Sequence, residues 1–179
     1  MGFLLFCRDI LIAVFDILSG GQRRRYEHSV EIAAPCSVVW DMLKARNIVF
    51  EGLFPLRVVG EPVPGRPGLE RVHILAGATE LIMLTRIVDE RAGQAILYQL
   101  LPEGTDAALI EGDDDFIGFV LQETAAGTRL DLTRETTPRR QISRITVPLG
   151  LRSGGRRYKR KAEQMARDIA AAGPGAPAV

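Results

Sequence analysis

The sequence contains few of the residue types that build disulfide frameworks and metal sites. Among 179 residues there are two cysteines and two histidines. Cys7 lies in an apolar segment and Cys36 at a predicted helix start, which indicates two unpaired thiols in a reducing cytoplasm. His28 and His73 do not have the spacing of a metal-binding pair, and no cysteine accompanies them. We therefore expect neither a metal nor a cofactor.

Motifs for phosphate binding and for nucleophilic catalysis are absent from the sequence as well. There is no Gly-rich phosphate loop and no nucleophile elbow. Asp113-Asp114-Asp115 lacks the spaced oxygen ligands of a calcium loop, so it is interpreted as a solvated turn. The composition, 46% hydrophobic and 25% charged, is typical of a globular domain and excludes a disordered or fibrous protein.

Residues 3–18 are almost entirely apolar, but they do not have the pattern of a signal peptide or a membrane span. Arg8 and Asp9 interrupt the apolar run, and the arginines at 23–25 follow it rather than precede it. A helix over residues 3–18 would be about 24 Å long, short of the ~30 Å of hydrocarbon in a bilayer. Residues 1–25 are interpreted as an apolar helix and a basic linker. Three roles stay open: an interfacial membrane anchor, a helix packed on its own domain or on a dimer mate, and an extension without a role.

Charge is distributed unevenly, although the formal net charge is only +1. Residues 26–138 carry nine basic and eighteen acidic side chains, whereas residues 139–179 carry ten basic and two acidic ones. The basic stretch from Arg139 to Arg167 is interpreted as a solvated helix face, as a surface for an anionic membrane, or as a surface for RNA, the ribosome or a protein. Nucleic acid is least favoured because only Tyr158 interleaves the charges. The predicted location is the cytoplasm, with peripheral attachment to the inner face of the membrane as the alternative.

A strand and a helix are predicted to open the folded domain, which we expect to cover residues 26–172. Polar and apolar residues alternate from Tyr26 to Ala33, with His28, Val30 and Ile32 on the inward face. Pro35 is well placed to begin a helix whose core-facing side carries Val39, Trp40 and Leu43. Residues 47–55 are predicted to form a second short helix or an irregular turn.

Six further apolar segments, separated by turn-forming residues, predict consecutive antiparallel strands rather than alternating strands and helices. They are residues 56–59, 69–76, 80–89, 95–101, 115–123 and 129–136. Tyr158, Ala162, Met165 and Ile169 then recur at helical spacing. Ile142, Ile145 and Leu149 are predicted to begin the same face, with Pro148 and Gly154-Gly155 kinking or interrupting the helix. Residues 173–179 are expected to be a disordered tail.

This order of elements resembles the START-like superfamily, also called SRPBCC, which includes polyketide cyclases and lipid-transfer domains. The matching motifs are Val30-Glu-Ile-Ala-Ala-Pro35 followed by Val39-Trp40, then Gly127-Thr128-Arg129-Leu130, and Lys161-Ala-Glu-Gln-Met165. The resemblance covers about residues 26–172. It implies an α+β helix-grip fold, in which a curved antiparallel sheet of about six to seven strands surrounds a long C-terminal helix. Two short helices follow the first strand, and a cavity separates the sheet from the long helix.

Four polar residues are predicted to contact a ligand in such a cavity: His28, Arg134, Tyr98 and Arg86. His28 and Arg134 are assigned to inward faces of the first and last strands. Tyr98 and Arg86 lie in segments that are apolar on both faces, so periodicity does not orient them. Because a buried unpaired cation is costly, Arg134 must reach a carboxylate, a polar ligand group or water.

The resemblance implies binding or transport of a hydrophobic small molecule or lipid. A cofactor-free polyketide cyclase or aromatase, using His28 or Tyr98 as general acid or base, is the alternative. A regulator that binds RNA, the ribosome or a protein through the basic C-terminal helix is the second alternative. Binding is favoured because no two proton-transfer residues clearly converge, and no catalytic residue is assigned.

Overall fold

The computed structural model describes residues 23–45, 47–51, 55–101, 115–137 and 143–172. The predictions for residues 1–22 and 173–179, which include Cys7, the apolar helix and the tail, lie outside these ranges. The first strand begins at Arg24, so it takes in two residues assigned above to the basic linker.

The described residues form one eight-stranded antiparallel sheet and two helices, an α+β arrangement. The strands are β1 (Arg24–Ile32), β2 (Asn47–Phe50), β3 (Leu56–Pro62), β4 (Leu69–Ala76), β5 (Thr79–Arg91), β6 (Ala95–Leu101), β7 (Asp115–Thr124) and β8 (Gly127–Thr136). Helix α1 (Cys36–Lys44) lies between β1 and β2, and α2 (Ser143–Ala172) follows β8. The strand order β1-β8-β7-β6-β5-β4-β3-β2 places the first two strands of the chain at opposite edges of a curled sheet.

The strand count exceeds the expected six to seven because Asn47–Phe50 is a strand, not a second helix. Its residues alternate between exposed and buried, with Ile48 and Phe50 inward, and it pairs with residues 56–59 of β3. Four residues of alternating polarity are too few to form a stable helix, but they are enough for a short strand that pairs with β3.

The concave face of the sheet carries the core, as the alternation in β1 predicts. Val30 and Ile32 face inward opposite Leu130 and Thr128 of β8, while the intervening residues are exposed. Leu130 is fully buried. Helix α1 adds a buried face of Val39, Met42 and Leu43. One apolar core therefore lies between the sheet and the two helices.

Helix α2 runs unbroken for 30 residues, so the predicted interruption is wrong. Pro148 lies near its N-terminus, where the missing N–H removes one hydrogen bond from a helix that has many. Gly155 is buried against β1: a β-carbon there would lie 2.7 Å from Cδ2 of His28. Gly155 therefore does not end the helix. Because it has no side chain, the helix can approach the sheet closely at this position.

The apolar face of α2 also differs from the predicted one in its first and last turns. Val147, Leu151 and Ala162 are buried, and Tyr158 and Met165 pack against the core. Ile145, Leu149 and Ile169, which were assigned to that face, are exposed. In the first turns Ile145 and Leu149 are exposed, whereas Val147 and Leu151 are buried. Both pairs have helical spacing, so spacing alone does not show which pair faces the core.

Candidate functional site

A cavity of about 80 Å³ lies between the concave face and the helices. Its lining comes from both helices, the residue after α1 and five strands of the sheet: Met42, Leu43, Ala45, Ile48, Val58, Gly60, Val72, Tyr98, Phe119 and Tyr158. Most of this lining is apolar, and the only side chains with polar atoms among these ten residues are two tyrosines. The cavity is therefore suited to an apolar ligand.

Four aromatic rings form a continuous series beside this cavity. Tyr158 of α2 contacts Phe50 edge-to-face at 5.3 Å between ring centroids and Phe119 at 5.6 Å. Phe119 in turn contacts Tyr98 at 6.2 Å. Each such contact contributes roughly 0.5–1.5 kcal/mol beyond area burial. The series links β2, α2, β7 and β6, so it holds the wall of the cavity in place.

Arg134 is on the concave face, as predicted, and it reaches a carboxylate. Its Nε donates to Oδ1 of Asp115 at 2.9 Å, and its NH2 group donates to Oδ2 at 2.5 Å. The Asp115 side chain is 0% exposed and that of Arg134 is 19% exposed. The result is a buried, bidentate ion pair between neighbouring strands, a strong form of charged hydrogen bonding.

Asp115 therefore corrects the interpretation of residues 113–115 as a solvated turn, since Asp115 is the fully buried first residue of β7. Asp113 and Asp114 lie outside the described residues. The alternation of side chains along β7 could have predicted this burial. Asp115 is two, four and six positions before Ile117, Phe119 and Leu121, so it lies on the same inward face of the strand. An inward arginine on one strand and an inward aspartate at the end of the neighbouring strand predict a pair.

The ion pair lies on the same side of the sheet as the cavity. Ile117 of β7 is opposite Arg134 on one side and opposite Tyr98 on the other. Two strand spacings therefore separate Arg134 from Tyr98, about 10 Å between Cα atoms. At the same end of the sheet the Thr136 hydroxyl is completely buried, and within the described part of the chain it has no hydrogen-bond partner.

The other predicted site residues lie in three different surroundings. Tyr98 is 8% exposed and lines the cavity. His28 faces inward opposite Leu132, but its imidazole lies against Gly155 of α2 instead of lining the cavity. Arg86 is exposed on the convex face, where its NH2 group donates to Oε1 of Gln99 at 2.5 Å. The structure thus brings His28, Tyr98 and Arg134 to the concave side and leaves Arg86 on the other.

Cys36, at the start of α1, has the properties of a structural thiol. Its Sγ donates to the carbonyl oxygen of Gly93 at 3.4 Å. Burial, and secondly the nearby Glu123 carboxylate, raise the pKa of the Cys36 thiol. A raised pKa keeps the thiol protonated, which disfavours nucleophilic chemistry. Among the residues that the structure describes, no three His, Cys, Asp or Glu side chains are grouped so as to hold a metal ion.

Solved structures with this architecture include two aromatase/cyclases. The di-domain aromatase/cyclase StfQ of the steffimycin biosynthetic pathway is 14% identical, with a TM-score of 0.59 over 83% of this chain and 52% of that chain. The ZhuI aromatase/cyclase of Streptomyces sp. R1128 is 20% identical, with a TM-score of 0.56 over 86% of this chain and all of that chain. A Chromobacterium violaceum protein is 17% identical, with a TM-score of 0.58 over 78% of this chain and 97% of that chain.

At these identities the likeness concerns the fold. No protein-family model and no curated protein sequence matches the chain. No helix in the described ranges is long and apolar enough to cross a membrane. The eight-stranded curled sheet, the long C-terminal helix and the cavity between them confirm the START-like resemblance at the level of architecture: the chain has a helix-grip fold, which it shares with StfQ and ZhuI.

Proposed function

We propose that the protein binds a hydrophobic small molecule or lipid between the sheet and α2. The observation that carries the proposal is an apolar, aromatic cavity wall that shares its face of the sheet with a buried ion pair. Apolar burial supplies the affinity, at about 25 cal/mol per Å² removed from water. Polar groups on the same face then fix the orientation of the ligand.

The ion pair favours a ligand whose polar end is uncharged. Arg134 and Asp115 neutralise each other through two hydrogen bonds. An uncharged hydroxyl or carbonyl on this side of the cavity leaves that balance of charge intact. A ligand carboxylate would instead compete with Asp115 and leave a buried charge uncompensated, which is costly.

Ligand binding requires the cavity to expand, because about 80 Å³ is below the roughly 300–1,000 Å³ of typical ligand pockets. Expansion separates α2 and α1 from strands β2–β4, whose side chains line the opposite wall. A rigid cavity of this volume would hold only water or a very small solute.

Filling the cavity with a larger side chain is expected to abolish binding of an apolar probe. Val58 lines the cavity, so Val58→Trp should weaken N-phenyl-1-naphthylamine binding at least about tenfold by occupying its space. Val59, the next residue of β3, is on the opposite face and provides the matched control, Val59→Trp. Fluorescence titration measures both affinities. Equal affinity of the Val58→Trp variant and the unmodified protein would contradict the cavity as the binding site.

A cofactor-free cyclase is the second candidate function. Two solved structures with this fold are aromatase/cyclases, and His28 and Tyr98 both face the concave side of this chain. Such an enzyme would fold a linear polyketone and transfer protons through a positioned side chain. The buried ion pair supports binding without supplying an acid or base, which makes binding the first candidate.

The cyclase candidate predicts a specific effect of removing His28. His28→Ala is expected to lower the rate of cyclisation of a synthetic poly-β-ketone thioester about 100-fold, with affinity changed only a few-fold. His73→Ala is the matched control, because His73 is on the convex face and pairs with Glu80 at 2.7 Å. Chromatography of the products gives the rate. Equal loss of rate and affinity, or loss of neither, would count against the enzyme.

A further inference from the structure

The side of α2 that faces away from the sheet carries two exposed aliphatic residues and two exposed arginines, aligned along the helix axis. Ile145, Leu149, Arg156 and Arg160 are separated by four, seven and four positions, so they lie on the same side of the helix. These four residues are called the outer face of α2. They point away from Val147, Leu151 and Ala162, which are buried in the core.

The described side chains of α2 do not neutralise the arginines of the outer face. Described side chains of α2 include seven basic and two acidic residues. The two acidic residues have other partners. Oε1 of Glu163 accepts a hydrogen bond from the backbone N–H of Ala33 and lies 3.7 Å from Nζ of Lys159. Oδ1 of Asp168 accepts a hydrogen bond from the side-chain amide of Gln164. Within the described ranges no carboxylate forms an ion pair with Arg156 or Arg160. Their charge is therefore available to an anionic partner.

The aliphatic residues of the outer face contribute little to the core. Ile145 is 43% exposed and Leu149 is 49% exposed. They lie in the first two turns of α2, about two to three turns before Arg156, so an apolar patch is followed by a basic one along the same side of the helix. Adjacent apolar and basic patches on one helix are typical of a segment that lies at a lipid–water interface.

We propose that the outer face of α2 docks on an anionic lipid surface. Arg156 and Arg160 would contact head-group phosphates, while Ile145 and Leu149 enter the acyl boundary. A nucleic-acid partner fits less well because single-stranded nucleic acids need aromatic side chains for base stacking. Tyr158, the one aromatic residue of α2, faces inward against Phe50.

The same helix would then separate the lipid surface from the cavity. Tyr158, on the inner side of α2, lines the cavity, so the cavity would lie within about one helix diameter, ~10 Å, of the lipid. This step rests on the proposed ligand-binding function: an apolar ligand could leave the bilayer beside α2 and enter the expanded cavity. Docking itself depends only on the outer face, so vesicle binding and probe binding in the cavity can fail independently.

The first test compares charge reversal on the outer face with the same reversal elsewhere, in the full-length chain. Arg156→Glu with Arg160→Glu is expected to weaken sedimentation with phosphatidylcholine vesicles containing about 30 mol% phosphatidylglycerol at least about tenfold. Arg66→Glu with Arg91→Glu makes the same charge change at two exposed positions outside α2 and should change binding less than about twofold. Wild-type protein that does not sediment with these vesicles, or equal loss in both variants, would overturn the proposal.

A second comparison tests the aliphatic contribution and the competing partner. Leu149→Ser should weaken vesicle binding about threefold or more, whereas Val88→Ser, on the sheet at 50% exposure, should not.

Fluorescence anisotropy with a single-stranded RNA oligonucleotide tests the competing partner. The proposal is wrong if the outer-face arginine variant loses RNA binding and retains vesicle binding. Unchanged far-UV circular dichroism of all four variants confirms that each one is folded.

Discussion

Asp115→Asn is expected to lower the free energy of unfolding by about 3–5 kcal/mol, the cost of breaking a buried ion pair by removing one partner. The Asp115 carboxylate is 0% exposed and accepts two hydrogen bonds from Arg134, whose side chain is 19% exposed. Asparagine keeps the shape of the side chain but removes the charge. The guanidinium would then remain in the core without its counter-charge. Urea denaturation followed by circular dichroism measures the loss.

Replacing both partners by apolar residues tests whether the uncompensated charge causes this loss. In Asp115→Leu with Arg134→Met no charge remains buried, so the double variant should recover most of the lost stability. Recovery would also show that the pair is not needed for folding, which supports a role in orienting a ligand. If the double variant is as unstable as Asp115→Asn, the hydrogen bonds themselves stabilise the fold and the charge argument is wrong.

Gly127→Ala is expected to destabilise the protein by at least about 3 kcal/mol, through backbone strain and a direct clash. Gly127 has φ +137°, which side-chain-bearing residues rarely adopt. An added β-carbon would lie 2.3 Å from the carbonyl oxygen of Ile32 and 2.9 Å from the backbone nitrogen of Ala34. Both are backbone atoms, so relief requires β1 and β8 to separate. Thermal and urea denaturation measure the effect.

Gly154→Ala provides the control, and its expected effect has the opposite sign. Gly154 lies inside α2, where an added β-carbon would have no neighbour within 4 Å. Alanine there should stabilise the protein by about 0.5–1 kcal/mol, since it lowers the entropy lost on helix formation. If Gly127→Ala is no more harmful than Gly154→Ala, the close approach at Ile32 does not constrain the fold.

The Gly127 contact explains why two separate sequence motifs occur together. Gly127 lies against the end of β1, and the hydroxyl of the next residue, Thr128, donates to the carbonyl oxygen of Ala34 at 2.7 Å. The segments 30–35 and 127–130, on which the START-like resemblance depends, thus contact each other. This is why a fold-level prediction was feasible from short motifs: they mark the junction of β1, α1 and β8.

Features of the site that depend on long-range pairing could be predicted only in part. The alternation of β8 placed Arg134 inward, but it could not choose among a carboxylate, a ligand and water. The partner is the carboxylate of Asp115, which lies 19 residues away in the sequence. Arg86 lies in a segment of apolar residues on both faces, and only its pairing opposite Leu69 and Gln99 places it on the convex side. The exposure of Leu149 likewise follows from how α2 meets β1, which helical spacing does not specify.

The strand order has a consequence for how the chain acquires its structure. Among the described strands β1 is synthesised first and pairs only with β8, and their nearest partners, Ile32 and Thr128, are 96 positions apart. At roughly 5–20 residues per second, ribosomal synthesis leaves β1 without its partner for about 5–20 s. During that time Val30 and Ile32 present an unpaired apolar edge to other nascent chains. Closure of the sheet is therefore a late, non-local event, and we expect folding to be limited by that pairing rather than by formation of α2.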